Sequence, residues 1–157
     1  MKNPILIFFV AAVMLLSCKK DNDTGDVESN PACNGAACSP DLLSDETAAT
    51  LPSSLLGTYQ TTYDYAQPGS PFSDGLKATF TLTSDNELIV ELEGEECIVL
   101  RNPAFRQGIN ESNFFFKDNC DRNICYNVSQ NMEGSFNEVN VQPYQGIGWH
   151  GQFAISE

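Results

Sequence analysis

From Leu55 onward the chain alternates apolar and polar residues with a period of two, broken by Gly, Pro, Asn and Asp at intervals of about 8–15 residues. This alternation constrains the fold most, because successive side chains of a strand point to opposite faces whereas those of a helix do not. Leu76, Ala78, Phe80 and Leu82 alternate with Lys77, Thr79, Thr81 and Thr83. Leu88, Val90 and Leu92 alternate with Glu87, Glu91 and Glu93. Such stretches, rich in Thr, Val, Phe and Tyr, suit a half-buried pleated surface. Outside residues 5–16 no window holds helical periodicity for more than about two turns.

The pattern predicts an all-β domain over residues 52–157. Its strands are expected at 57–65, 76–83, 87–93, 97–101, 113–118 and 125–136, around Val139 and Val141, and at 149–155, with 103–111 as a loop. In the sixth, Tyr126, Val128, Met132 and Phe136 are expected on one face. Short strands joined mainly by hairpins point to an antiparallel meander that removes its exposed edges by closing into an eight-stranded barrel. A two-sheet β-sandwich is the alternative. Its immunoglobulin version is disfavoured, because Trp149 follows all six cysteines instead of lying between two of them.

Gly57-x-Tyr59 at the opening and Gly151-Gln152-Phe153 at the close resemble the two ends of lipocalin-like (calycin) barrels, although that family normally opens with Trp where this chain has Tyr59. The resemblance implies a barrel mouth that holds a small apolar ligand, lined by Tyr59, Tyr63, Phe80, Phe114, Tyr126, Trp149 and Phe153. Barrel size argues the other way. Eight strands enclose an interior that side chains can just fill, and these inward positions are mostly large. The same residues are then expected to pack against one another, leaving the outer surface or loops to recognise a protein or glycan.

The N-terminus indicates export. Lys2 precedes an unbroken apolar run from Ile5 to Leu16, twelve residues long. As a helix it would rise about 18 Å, well short of the ~30 Å hydrocarbon core, so residues 1–17 read as a signal peptide. Leu15-Leu16-Ser17-Cys18 resembles the lipobox of bacterial lipoproteins, which implies that Cys18 is lipidated and becomes the mature N-terminus. Several acyl chains would make the attachment to a membrane stable. Lys19-Lys20-Asp21-Asn22-Asp23 is similar to the start of Bacteroidota lipoproteins, implying an outer-membrane protein on the periplasmic or cell-surface face. Residues 18–51 are expected to form a disordered acidic tether: Asp21 to Leu51 contains seven acids and no Lys or Arg. Asp21–Asp26 resembles a calcium loop but has Ala32 where the bidentate glutamate belongs.

With Cys18 lipidated, five cysteines remain, and an oxidising compartment favours disulfides. Short separations and turn residues favour Cys33 with Cys38 and Cys120 with Cys125, leaving Cys97 unpaired; a bridge from Cys97 to Cys120 or Cys125 is the alternative. Two C-x₄-C pairs without a neighbouring histidine give no metal site, and no cofactor is expected. A net charge of −13, from 21 acids and 8 bases, excludes nucleic acid as a partner. No catalytic motif occurs, so the chain is read as non-catalytic. Glu91, Glu93, Glu95 and Glu96 are read as a solvated face, not a glycosidase pair, and His150 as pointing outward. Asn110-Glu111-Ser112 and Asn127-Val128-Ser129 match a glycosylation pattern without meaning in a bacterial lipoprotein. The anchor has a direct test. Cys18→Ala is expected to release the protein from the membrane fraction or leave its precursor uncleaved; normal processing with full membrane retention would refute lipidation.

Overall fold

The computed structural model describes residues 33–35, 37–108, 112–145 and 148–156. The signal peptide, Cys18, residues 19–32 and the Asn110-Glu111 part of the first glycosylation motif lie outside them. The protein is all-β. Its strands are β1 (Ala37–Cys38), β2 (Glu46–Ala48), β3 (Gly57–Ala66), β4 (Lys77–Leu82), β5 (Leu88–Leu92), β6 (Ile98–Leu100), β7 (Ala104–Arg106), β8 (Asn113–Asp118), β9 (Ile124–Gln130), β10 (Phe136–Pro143) and β11 (Gly151–Ile155), with one 3₁₀ turn at Ser53–Leu55. They form a single strongly curled sheet in the order β1-β6-β5-β4-β3-β11-β10-β9-β8-β7-β2. Most of the expected period-two strands are present, in one sheet that has eleven strands among the described residues, where eight were expected and a two-sheet sandwich was the alternative.

The sheet consists of two antiparallel runs, β3–β6 and β7–β11, joined where β11 pairs with β3. Phe153 lies opposite Tyr63, and Gly151 opposite Ala66. Tyr63 occupies the space where a residue-151 side chain would project, since a Cβ on Gly151 would overlap the Tyr63 hydroxyl. Only glycine admits the ring at this close approach. One end of the curl is sealed by residues 51–55. The Leu51 N–H donates to Asn86 Oδ1 at 2.8 Å, and Ser54 Oγ donates to the Gly134 carbonyl at 2.8 Å. Leu55 is fully buried beneath them.

Three sequence expectations are corrected. Residues 125–136 are not one strand: Asn131 turns the chain by accepting the Glu133 and Ser135 N–H groups on its Oδ1, both at 3.0 Å. Gly134 supplies the positive φ of 78°. Met132, expected inside, stands fully exposed at the tip. Within the expected loop, Ala104–Arg106 forms β7 because β2 and β8 flank it and supply ladder partners.

The third correction concerns the tether. Its described part, from Cys33 onward, is folded. β1 adds to β6 in parallel, β2 adds to β7 antiparallel, and Cys38, Ala49 and Leu51 are buried in the core. The disulfides differ accordingly: Cys33 bonds Cys97 and Cys38 bonds Cys120, with Cα separations of 5.8 and 5.9 Å, while Cys125 is the free thiol. Cys125 lies on β9 one residue before core-facing Tyr126, opposite Lys117 on β8, so it faces away from the core that holds Cys38. The bridges span 64 and 82 residues. Loop-closure entropy makes such bridges worth about 4 kcal/mol each. A chain beginning at residue 50 lacks both bridges and is therefore expected to lose at least about 4 kcal/mol of stability in urea unfolding; unchanged stability would show that residues 33–49 contribute little.

Candidate functional site

The seven aromatic residues expected at a barrel mouth all contribute to the interior packing. Tyr63, Phe80, Phe114, Tyr126 and Phe153 are buried, and Tyr59 and Trp149 are half-buried against the core. Their contacts run in series. Tyr126 meets Phe80 edge-on at 6.2 Å, Phe80 meets Phe153 at 5.3 Å, and Phe153 meets Tyr63 at 4.8 Å. Phe72, from the β3–β4 loop, packs on Tyr63, Phe153 and Trp149 at 5.5, 5.5 and 6.1 Å. Tyr59 stacks on Phe136 at 3.9 Å, and Phe114 packs on Phe105 at 5.2 Å. Edge-on and offset pairs of this kind add about 0.5–1.5 kcal/mol each beyond area burial.

The hydroxyl groups of Tyr59 and Tyr63 are also engaged. Tyr59 Oη donates to the Leu55 carbonyl at 2.9 Å, and the Tyr63 hydroxyl shares a 2.6 Å hydrogen bond with Ser70 Oγ, which also accepts the Phe72 N–H at 3.2 Å. Ser70 thereby fixes the loop that carries Phe72 over the end of the interior. Burial raises the pKa of the Tyr59, Tyr63 and Tyr126 hydroxyls above the ordinary phenol value. Phe72 and Phe105 were not expected in the interior. Phe72 lies in a Ser/Pro-rich loop without periodicity, and Phe105 lies in the unrecognised β7. Open clefts lie elsewhere. One of about 610 Å³ runs along Gln60, Thr62, Lys77, Thr79, Glu91 and Glu93, and another of about 680 Å³ borders Asp41, Leu42, Arg101 and Asn102. The seven aromatic side chains line neither.

A charged cluster on the opposite face of the sheet had no single sequence signal. Lys117 and Glu46 form an ion pair with both side chains fully buried, and Lys117 Nζ also donates to the Asp41 carbonyl at 2.7 Å. Glu46 accepts the Leu43 N–H at 2.9 Å and Arg106 Nε at 3.3 Å. The Arg106 guanidinium lies 4.7 Å above the Phe115 ring. Burial alone would raise the Glu46 pKa, but the Leu43 N–H, Lys117 and Arg106 together hold it below the ordinary carboxylate value. Beside them, burial pushes the Cys125 thiol up to about 11; Arg106 and Lys117 pull against that shift and Glu46 adds to it. A thiol so placed stays protonated and is a poor nucleophile. Residue period foretold these burials poorly, because β8 is buried on both faces from Phe114 to Asp118.

The other candidates are separate. Glu91 is half-buried, whereas Glu93, Glu95 and Glu96 are exposed. Glu87, expected on the outer face, is instead buried and bonded to Arg101 at 2.7 Å. His150 is half-buried beside the exposed Tyr65 ring, 6.4 Å between centroids. Among the described residues no group of three or more His, Cys, Asp or Glu converges as a metal site would require.

Comparison with protein-family models, curated proteins and solved structures finds no match. The charged cluster makes a pH prediction. Because the folded-state pKa of Glu46 is depressed, its stabilising contribution is complete above the unfolded-state pKa and is lost as pH falls through the folded value. Glu46→Gln is expected to lower stability at neutral pH and to flatten the acid limb of the stability–pH curve. An unaltered acid limb would contradict this role.

Proposed function

We propose that the protein is an exported, lipid-anchored, non-catalytic lipoprotein of the outer membrane, with Cys18 as the anchor and a lipocalin-like barrel domain that recognises a protein or glycan through its outer surface. The observation carrying this reading is the interlocked interior. The aromatic side chains that would line a calyx are in contact with one another, and their hydroxyl groups at Tyr59 and Tyr63 are already bonded. The lipocalin-like part draws support from the pairing of the opening strand β3 with the closing strand β11. The Gly151-Gln152-Phe153 motif supplies both the glycine that admits Tyr63 and the phenylalanine opposite it.

Recognition is assigned to the surface around Tyr65, which is 47% exposed, and His150 beside it. An amphipathic ring projecting from a rigid strand presents a large contact area at small entropic cost, and tyrosine is enriched at binding surfaces for this reason. The neighbouring amides of Gln67 and Gln152 offer hydrogen-bond donors and acceptors suited to hydroxyl-rich or peptide ligands.

Two measurements test the assignment. Trp149, which packs on Phe72 at the end of the interior, is expected to keep its fluorescence when oleate is added; a saturable change would establish a calyx and overturn the surface reading. On a panel of soluble polysaccharides and surface proteins, Tyr65→Ala is expected to weaken any binding shown by the native domain tenfold or more, with thermal unfolding unchanged. Undiminished binding by the variant would place the site elsewhere.

A further inference from the structure

We propose that residues 33–48 form a disulfide-latched strap, and that reduction of the Cys33–Cys97 and Cys38–Cys120 bridges releases it and uncovers the Lys117–Cys125 face of the sheet. The inference is independent of the ligand proposed above and rests on how unequally this segment is held.

Its sheet pairing is short: two residues of β1 on β6 and three of β2 on β7. Its covalent attachment is strong by comparison, with both disulfides lying in its first six residues. β1 and β2 are also the two edges of the sheet. Detaching them interrupts no ladder among β3–β6 or β8–β11, and most of the aromatic interior comes from those strands. A segment at a sheet edge with few ladder bonds belongs to the least stable part of a fold unless it is cross-linked.

What the strap covers gives its release a consequence. Lys117 is fully buried, and the strap supplies two of its partners, the Glu46 carboxylate and the Asp41 carbonyl. Cys125 is the cross-strand neighbour of Lys117 and is likewise fully buried. The other groups around this face are Arg106 on β7 and the Tyr144 ring, 6.0 Å from Lys117 Nζ. With the strap gone, Lys117 loses its counter-charge and turns to solvent, and water reaches Cys125. The desolvation that holds its thiol near 11 then falls away, bringing the thiolate within reach of neutral pH. The chemistry balances with a dithiol reductant. Each protein disulfide takes up two electrons and two protons to become two thiols, and each reductant dithiol becomes a disulfide.

The test is the alkylation rate of Cys125 by iodoacetamide, followed by mass spectrometry of its own peptide. In the oxidised protein, labelling is expected to be slow. After dithiothreitol treatment, and in a Cys33→Ser/Cys97→Ser/Cys38→Ser/Cys120→Ser variant, the rate is expected to rise at least tenfold while near-UV circular dichroism keeps its aromatic signature. Equal labelling rates before and after reduction would show that the strap stays in place without its latches. Loss of the near-UV signal would show that the core unfolds with it. Either result overturns the proposal. The two double variants, Cys33→Ser/Cys97→Ser and Cys38→Ser/Cys120→Ser, provide a second reading. Labelling should rise with the number of latches removed, and no rise in either double or the quadruple variant would exclude the strap as the cover.

Discussion

The fold depends on the approach of Tyr63 to Gly151. β3 and β11 are far apart in sequence, and their pairing converts two separate antiparallel runs into one continuous curled sheet. Non-local pairing carries a large loop-closure cost that must be offset by contacts formed only once the ends meet. Tyr63 offsets it, because its ring passes over Gly151 into contact with Phe153 and Phe72, and its hydroxyl secures Ser70 and hence the loop carrying Phe72. From there, edge-on contacts continue through Phe80 to Tyr126 on the far side of the interior.

Closing one seam leaves the other, and the N-terminal segment occupies it. β1 extends the sheet beyond β6 and β2 extends it beyond β7, so the two sheet edges are consecutive pieces of the same short stretch. Exposed edges invite pairing with other chains; short edge strands cross-linked into the domain present little template for it. The Cys38–Cys120 bridge ties one edge to the β8–β9 turn, and the Glu46–Lys117 ion pair ties the other edge to β8. A buried ion pair is weak evidence for net stability, since desolvation consumes much of its Coulombic gain. Its clearer effect here is registry, because Glu46 can satisfy Lys117, Arg106 and the Leu43 N–H together only in the observed position of β2.

The all-β class and most strand positions were legible because period-two alternation reports directly on a sheet with one buried face. Leu76–Leu82 fits that rule closely, whereas in Leu88–Leu92 Ile89 is also buried, against Cys33 and Val99 on the other face. Residues 125–136 misled because Met132 happens to keep the apolar period across a turn that Asn131 and Gly134 impose. β7 was invisible for a different reason: three residues carry too little pattern, and β7 exists only because β2 and β8 flank it. The acidic composition before Leu51 suggested a solvated tether, yet Cys38, Glu46, Ala49 and Leu51 bury nonetheless. Composition averages over a segment, whereas burial here is decided by a few residues and two cross-links. The disulfide pattern followed the same logic. Sequence proximity favoured local bridges, but β1 delivers Cys38 to the core side and Cys125 faces the other side of β9. Of the seven interior aromatics, all were legible as inward residues, but their mutual contacts and the covering Phe72 required the folded chain.

The segment beginning at Cys33 is an integral closing piece of the sheet and not a tether. Peptide mapping of the oxidised protein without reduction tests it most directly. The structure requires Cys33 joined to Cys97 and Cys38 joined to Cys120, with Cys125 recovered as a free thiol. A peptide linking Cys33 to Cys38, or any bridge containing Cys125, would contradict it.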